Sequence, residues 1–281
     1  MQKETDSRSK TVSVRKTGQK ESFLQTVKEI YSYRQMIVAF VRRELRGRYK
    51  GSFLGFLWTF LNPLLQLCVY SIVFSTILQS GIEKYYLFLF VALIPWIFFS
   101  SSVLGGAASI ISQKDMVKKI YFPREVLPIS TVTTNFVNML LCFIVVFAVV
   151  LLSGIRLNFP ALLCLIPVWA VEYLLALGMA FLTSAVTVYF RDMEHILGIV
   201  MMAWQYLTPV LYSYDIIPQQ YKVIFDLNPM TPIITAYRDI LYESKIPDFK
   251  SLLSATVMGL IVLLIGWIAF SKLKRRFAEE L

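Results

Sequence analysis

The chain has 281 residues, of which 57% are hydrophobic, 15% aromatic and only 16% charged, with a mean hydropathy of +0.61, whereas a soluble domain carries about 25% charged residues. That composition excludes a soluble globular enzyme and a disordered chain, and three cysteines, Cys68, Cys142 and Cys164, each inside an apolar run, exclude a disulfide scaffold. The formal net charge of +10 flanks long apolar segments, so it points to membrane lipid and not to nucleic acid.

In chain order, Met1 to Ser22 is polar and reads as a disordered cytoplasmic tail. Phe23 to Lys50 has the spacing of an amphipathic helix, with Ile37, Val38, Val41 and Leu45 on one side and Arg42, Arg43, Arg46 and Lys50 on the other. Such a helix lies at the cytoplasmic headgroups, where each cation gains about 1 kcal/mol near anionic lipid. It reads as a surface anchor or as the rim of a docking surface.

A spanning helix needs about 20 apolar residues. Six stretches qualify: Phe53 to Leu78, Tyr85 to Ile111, Val126 to Leu152, Pro160 to Tyr189, Ile196 to Tyr212 and Leu252 to Phe270. The expected fold class is an all-α integral membrane protein of six transmembrane helices, with residues 23–281 as one domain. With no cleavable signal expected, the first span inserts as its own signal. Twenty-two Lys and Arg fall on the side of both termini and six on the other, which places the termini in the cytoplasm.

Asn62-Pro63 predicts a kink in the first span, and the fourth is long enough to tilt, to kink near Gly178 or to project beyond the membrane. The second cytoplasmic loop begins Gln113-Lys114-Asp115-Met116-Val117-Lys118-Lys119-Ile120-Tyr121 and is compatible with helix up to Phe122, where Pro123 stops it. It is either a solvated basic turn or a projection that fits a groove in a cytoplasmic motor subunit. Glu172 is the only charged residue within the six stretches and sits near mid-membrane, where a carboxylate must face protein or substrate.

The turn Tyr189 to His195 holds the single histidine, which cannot make a metal pair, and Arg191 and Asp192 are expected to hold helix ends together. Phe56 and Phe60 share a helical face of the first span, and Trp204 and Tyr206 crowd the fifth, either as packing rings or as a stacking surface for sugars. Asp215 to Lys250 is too long for a structureless connection and too apolar for a solvated one. Two short helices around a Pro-bounded turn are expected there, as a re-entrant hairpin or as an external amphipathic cap. No nucleophile with a base, metal cluster, paired carboxylates or phosphate loop can be assembled, so the chain is not read as an enzyme and any transport energy comes from another subunit.

Several motifs in order carry a resemblance: Arg42-Arg43-Glu44-Leu45-Arg46-Gly47-Arg48-Tyr49-Lys50-Gly51-Ser52-Phe53 before Trp58 and Asn62-Pro63, Lys119 to Pro128, Phe190-Arg191-Asp192, and Leu227-Asn228-Pro229-Met230 with Tyr237-Arg238. From about Phe23 onward the chain resembles the permease subunits of type-2 ABC exporters for polysaccharides, which include O-antigen, capsule and wall teichoic acid exporters. The resemblance implies a homodimer bound to two cytoplasmic ABC-type ATPase subunits, which hold the ATP and magnesium, moving a lipid-linked polysaccharide outward. It implies a coupling helix over Gln113 to Tyr121 and external re-entrant helices over Asp215 to Tyr242, with Asn228, Pro229, Tyr237 and Arg238 at the gate. It makes Phe56, Phe60, Trp204 and Tyr206 candidate sugar contacts, with Glu172 a further candidate in the substrate path, and Arg42, Arg43, Arg46 and Arg48 candidates for the lipid pyrophosphate. An exporter of a smaller lipid or drug, and a membrane enzyme acting on lipid-linked sugars through Glu172 or His195, are the alternatives.

Overall fold

The computed structural model describes residues 23–47, 51–77 and 81–281. The expected tail Met1 to Ser22, Arg48, Lys50 and the end of the first stretch at Leu78 lie outside them. The described residues form helices and no strand.

Tyr85–Ser109 (α4) is apolar on every side, and a helix of that kind has to be buried. It is the hub of the bundle, packed by Trp58–Ser71 (α3), Val126–Leu152 (α6), Leu165–Tyr189 (α8), Met193–Tyr206 (α9) and Met230–Leu241 (α11). Phe249–Leu273 (α12) crosses α8 at two glycines. A Cβ on Gly266 would stand 2.1 Å from the Gly178 carbonyl oxygen, and one on Gly178 would stand 2.6 Å from the Leu263 backbone. Gly178 is therefore the point of closest helix approach, as small residues are in membrane bundles, and α8 runs unbroken through it. The break falls at Cys164, between Phe159–Leu163 (α7) and α8, because Pro167 has no N–H for the Leu163 carbonyl.

Pro63 likewise strips a donor from the Thr59 carbonyl in α3, and the Cys142 thiol of α6 supplies one at 3.4 Å. The α3 helix then relaxes into a π-helical turn over Ile72–Ile77. At the end of the bundle where α12 finishes, a second apolar cluster gathers Ile110, Val117, Phe122, Phe181, Phe270 and Phe277.

Among the described residues five helical stretches are long and apolar enough to cross a membrane: Gly55–Ser75, Tyr85–Ser109, Val126–Leu152, Phe159–Tyr189 and Phe249–Arg276. The expected span from Ile196 to Tyr212 is not among them. Its helix, α9, ends at Tyr206, since Pro209 cannot donate to the Gln205 carbonyl, and 14 residues rise only about 21 Å. The single amphipathic helix expected over Phe23 to Lys50 is two, Phe23–Ser32 (α1) and Arg34–Gly47 (α2), separated at Tyr33, whose ring packs on the second apolar cluster. On α2 the sides differ slightly from expectation: Ile37, Val41 and Leu45 are half-buried, but Val38 is exposed.

Candidate functional site

Where α9 unwinds, the carbonyls from Leu207 to Tyr212 lose their helical donors, and the lost bonds must be replaced in a buried setting. Side chains from other elements replace them. Asn228 Nδ2 donates to the Leu207 carbonyl at 2.9 Å and to Thr208 Oγ1 at 2.8 Å. Arg238, 5% exposed, donates through Nη1 to the Pro209 and Tyr212 carbonyls at 2.6 and 3.1 Å and through Nη2 to Val210 at 2.7 Å. Its Nε reaches the Phe88 carbonyl at 3.4 Å and its guanidinium lies 3.6 Å from the centre of the Phe88 ring. The Tyr85 hydroxyl closes the set on the Leu211 carbonyl at 2.7 Å. A fork of donors on a delocalised cation suits this task, and carbonyl dipoles with an aromatic face compensate the charge where no carboxylate forms an ion pair with it among the described residues.

Asn228 also starts α11. Its Oδ1 accepts from the Met230 N–H and from Trp204 Nε1, both at 3.0 Å, which ties the N-terminus of α11 to α9. The helix is buried along most of its length, and its neighbouring residues Tyr237 and Arg238 reach different partners. Tyr237 donates to Glu172 Oε2 of α8 at 2.5 Å, in a pocket shared with Phe143 and Trp169. Glu172 is therefore wholly buried in protein. Four residues singled out in the sequence, Trp204, Asn228, Tyr237 and Arg238, meet here with Pro229 as the residue preceding α11. Tyr85 and Phe88 are additions that no motif marks.

The expected pair of short helices before the last span is present as Lys222–Asp226 (α10) and α11, joined through Asn228-Pro229. Unlike α11, α10 is exposed, with Val223, Ile224 and the following Leu227 all facing out. The candidate rings stay apart within one chain. Phe56 and Phe60 meet edge to face at 5.5 Å, Trp204 packs on Phe99 at 5.3 Å, and no ring contact among the described residues joins the two pairs. Tyr206 is exposed, and its carbonyl accepts from the Tyr212 hydroxyl at 2.5 Å.

At the end of the bundle where α12 finishes, Lys114–Lys119 (α5) follows a 3₁₀ turn over Ile111–Gln113. It is shorter than expected: Ile120 is already extended, and Phe122 leaves the helical path to enter the second apolar cluster. Val117 is buried and Met116 half-buried, while Lys114, Asp115, Lys118, Lys119, Ile120 and Tyr121 are exposed. Behind α5, Arg124 Nη1 donates to the Lys274 carbonyl, and burial pushes its guanidinium below the ordinary arginine value. Lys274 Nζ pairs with the fully buried Glu125 at 2.7 Å, and the Tyr189 hydroxyl donates to the Leu273 carbonyl at 3.0 Å.

These contacts join the residues just before α6 and the end of α8 to the end of α12, and Arg191 and Asp192, expected to hold helix ends together, take no part in them. Both of those residues are exposed, and the Asp192 side chain makes no cap bond to α9. The arginines divide as well. Arg42 and Arg46 line a cleft of about 620 Å³ with Val38, Val41, Leu45 and Phe56, whereas Arg43 stacks on Phe40 and lines a separate serine-rich cleft beside Glu44 and Ser109. Among the described residues no cluster of three or more His, Cys, Asp and Glu could hold a metal.

The ABC-2 type transporter family matches residues 35–242, a segment that contains α5, the broken end of α9 and all of α11. The chain belongs to that family. This ABC-2 protein is 36% identical over 262 residues to the O-antigen export system permease protein RfbA of Myxococcus xanthus, covering 92% of this chain and 100% of the relative. It is 32% identical over 249 residues to the RfbA permease of Klebsiella pneumoniae, covering 88% and 95%. The polysialic acid transport protein KpsM of Escherichia coli is 24% identical over 236 residues, covering 82% and 90%. These relatives are transport proteins and not enzymes, and an ABC-2 permease of this family normally works with a separate ATPase subunit.

Proposed function

We propose that this ABC-2 permease is the transmembrane subunit of an ATP-driven exporter that moves a lipid-linked polysaccharide out across the cytoplasmic membrane. The observation that carries the reading is the match over the full length of an O-antigen export permease. Two copies pair, and two cytoplasmic ABC-type ATPase subunits bind Gln113 to Tyr121, whose exposed lysines, Ile120 and Tyr121 offer charge and apolar surface at one projection. ATP and magnesium belong to those subunits. Nucleotide binding changes the spacing of the permease halves to the extent that its affinity differs between the two states. In each copy, α9 with residues 207–212 completes a sixth crossing, both termini are cytoplasmic, and α10 with α11 re-enters from the outside. Asn228 and Arg238 then secure non-helical backbone at membrane depth against protein, as such backbone requires.

The cleft beside α2 suits the lipid carrier. Apolar walls from Val38, Val41, Leu45 and Phe56 accept a hydrocarbon chain, and Arg42 and Arg46 offer two cations to a pyrophosphate. Phe56 and Phe60 of one copy and Trp204 and Tyr206 of the other face the polymer path. Deletion of the gene in its host, with purification of the tagged chain, tests the reading. Polymer accumulating inside the cell and a stoichiometric ATPase are expected; undiminished surface polymer after deletion overturns it.

A further inference from the structure

Between α3, α4 and α6 lies a cavity of about 210 Å³ whose lining includes the carboxamides of Asn62 and Gln66 from α3 and of Asn135 and Asn138 from α6, with the hydroxyls of Thr59 and Ser101. No charged residue lines it. The contributing residues lie near the middle of α4 and α6, at the depth where a polar side chain is costly and marks either a partner or a pathway. Pro63 frees one carbonyl at this place, that of Thr59, and the Cys142 thiol satisfies it. Asn138 Oδ1 is buried with no hydrogen-bond partner among the described residues, and an orphaned buried acceptor of that kind destabilises the chain that keeps it. Asn62 and Gln66 stand exposed at the mouth.

We infer that this carboxamide-lined cavity is a saccharide subsite that takes one sugar unit of the polymer at a time. The inference rests on the exporter reading above and deepens it. A carboxamide presents a donor and an acceptor side by side, which matches the neighbouring hydroxyls, or the acetamido group, of a sugar ring. Trp58 and Phe98 complete the wall; the Trp58 indole N–H is held by Ser52 Oγ at 3.1 Å, which fixes its ring. The volume equals about seven waters at their liquid share, the scale of one sugar ring and too little for a prenyl chain. Neutral, shallow contacts select sugar over lipid and still let the polymer move on.

The test uses the full complex with its ATPase, in membranes of the native host. Cys68, Cys142 and Cys164 are replaced by serine, Gln66→Cys is introduced, the ATPase is made hydrolysis-deficient to hold polymer in the path, and the rate of modification by a small methanethiosulfonate is measured. Membranes from polymer-making cells are compared with membranes from cells blocked in polymer synthesis. Polymer is expected to slow modification roughly threefold to tenfold, the scale of one neutral hydrogen bond; equal rates overturn the subsite. Asn138→Leu gives a second reading, because it removes an orphaned polar atom and so favours folding. Export is expected to fall by roughly the same factor while the yield of assembled complex is retained, and a wild-type export rate overturns the proposal. If gene deletion leaves export intact, the exporter reading itself has failed; if deletion blocks export but Gln66→Cys is unprotected, only the subsite has.

Discussion

The two ends of the bundle secure short helices by opposite chemistry. On the side of α11, the unwound end of α9 is held by donors from Arg238, Asn228 and Tyr85 to backbone carbonyls. On the side of α5, the chain is held by apolar packing around Phe122, Phe270 and Phe277, with a few polar contacts at the rim. Apolar side chains cannot satisfy a carbonyl, so the first end depends on a few irreplaceable donors. The second spreads its stability over many interchangeable contacts, and its Lys274 side chain is one-fifth exposed, so that water can take over part of its role.

That contrast fails if Arg238→Leu is mild. Four carbonyls would lose their donor at once, and the expected cost is roughly 3–5 kcal/mol, seen as a large fall in thermal midpoint in detergent. Arg238→Lys should lose nearly as much, because one ammonium cannot reach three carbonyls in the geometry of a planar fork. An intermediate effect is expected between the ends, at the α8 crossing. Gly266→Ala forces α8 and α12 apart and should cost about 1–3 kcal/mol, a loss that Gly198→Ala, where a Cβ meets open space, should not reproduce.

The end around α5 should yield less. Lys274→Ala leaves Glu125 buried without its ion pair, at roughly 1–2 kcal/mol after allowing for the partial exposure of the lysine. Adding Glu125→Gln should recover part of that loss in a double-mutant cycle, and strict additivity would show that the two side chains do not interact. The smallest effect is expected at Asp248, an exposed residue whose carboxylate accepts from the backbone and side chain of Ser251 and from the Lys250 N–H at the start of α12. The Ser251 hydroxyl and these N–H groups hold its carboxyl below the ordinary aspartate range. Because the folded value lies below the unfolded one, the contribution is complete above the unfolded value near 3.9 and is lost as pH falls through the folded value. Hydrogen exchange at the first turn of α12 should show this acid dependence, and Asp248→Ala should abolish it.

Apolar length alone located four of the helices well, α4, α6, α8 and α12, because a run of more than 20 apolar residues has few other fates. It overextended the fifth stretch, since hydropathy counts side chains and does not register that Pro209 withholds an N–H from the turn before it. The same blindness offered Gly178 as one place for the fourth stretch to kink, where packing against Gly266 uses the missing Cβ, and passed over Cys164 ahead of Pro167. Arg238 was visible as a charge outside the apolar runs, but its partners are carbonyls, which every residue carries and no sequence pattern marks. Asn228-Pro229 was legible as a turn, while the bond from Trp204 to Asn228 depends on how α9 and α11 are placed.

By itself the sequence determined that this chain is a helical membrane protein, where its cations gather, that it lacks the groups for catalysis, and which family it resembles. These follow from composition, spacing and motif, which act locally along the chain. Only the tertiary structure decided which polar groups meet: Arg238 with the unwound end of α9, Tyr237 with Glu172, Cys142 with the Thr59 carbonyl, and four carboxamides from two helices around one cavity. Each of these joins residues distant in sequence, and the helix packing that brings them together depends on Gly178, Gly266 and the tertiary contacts of the whole bundle.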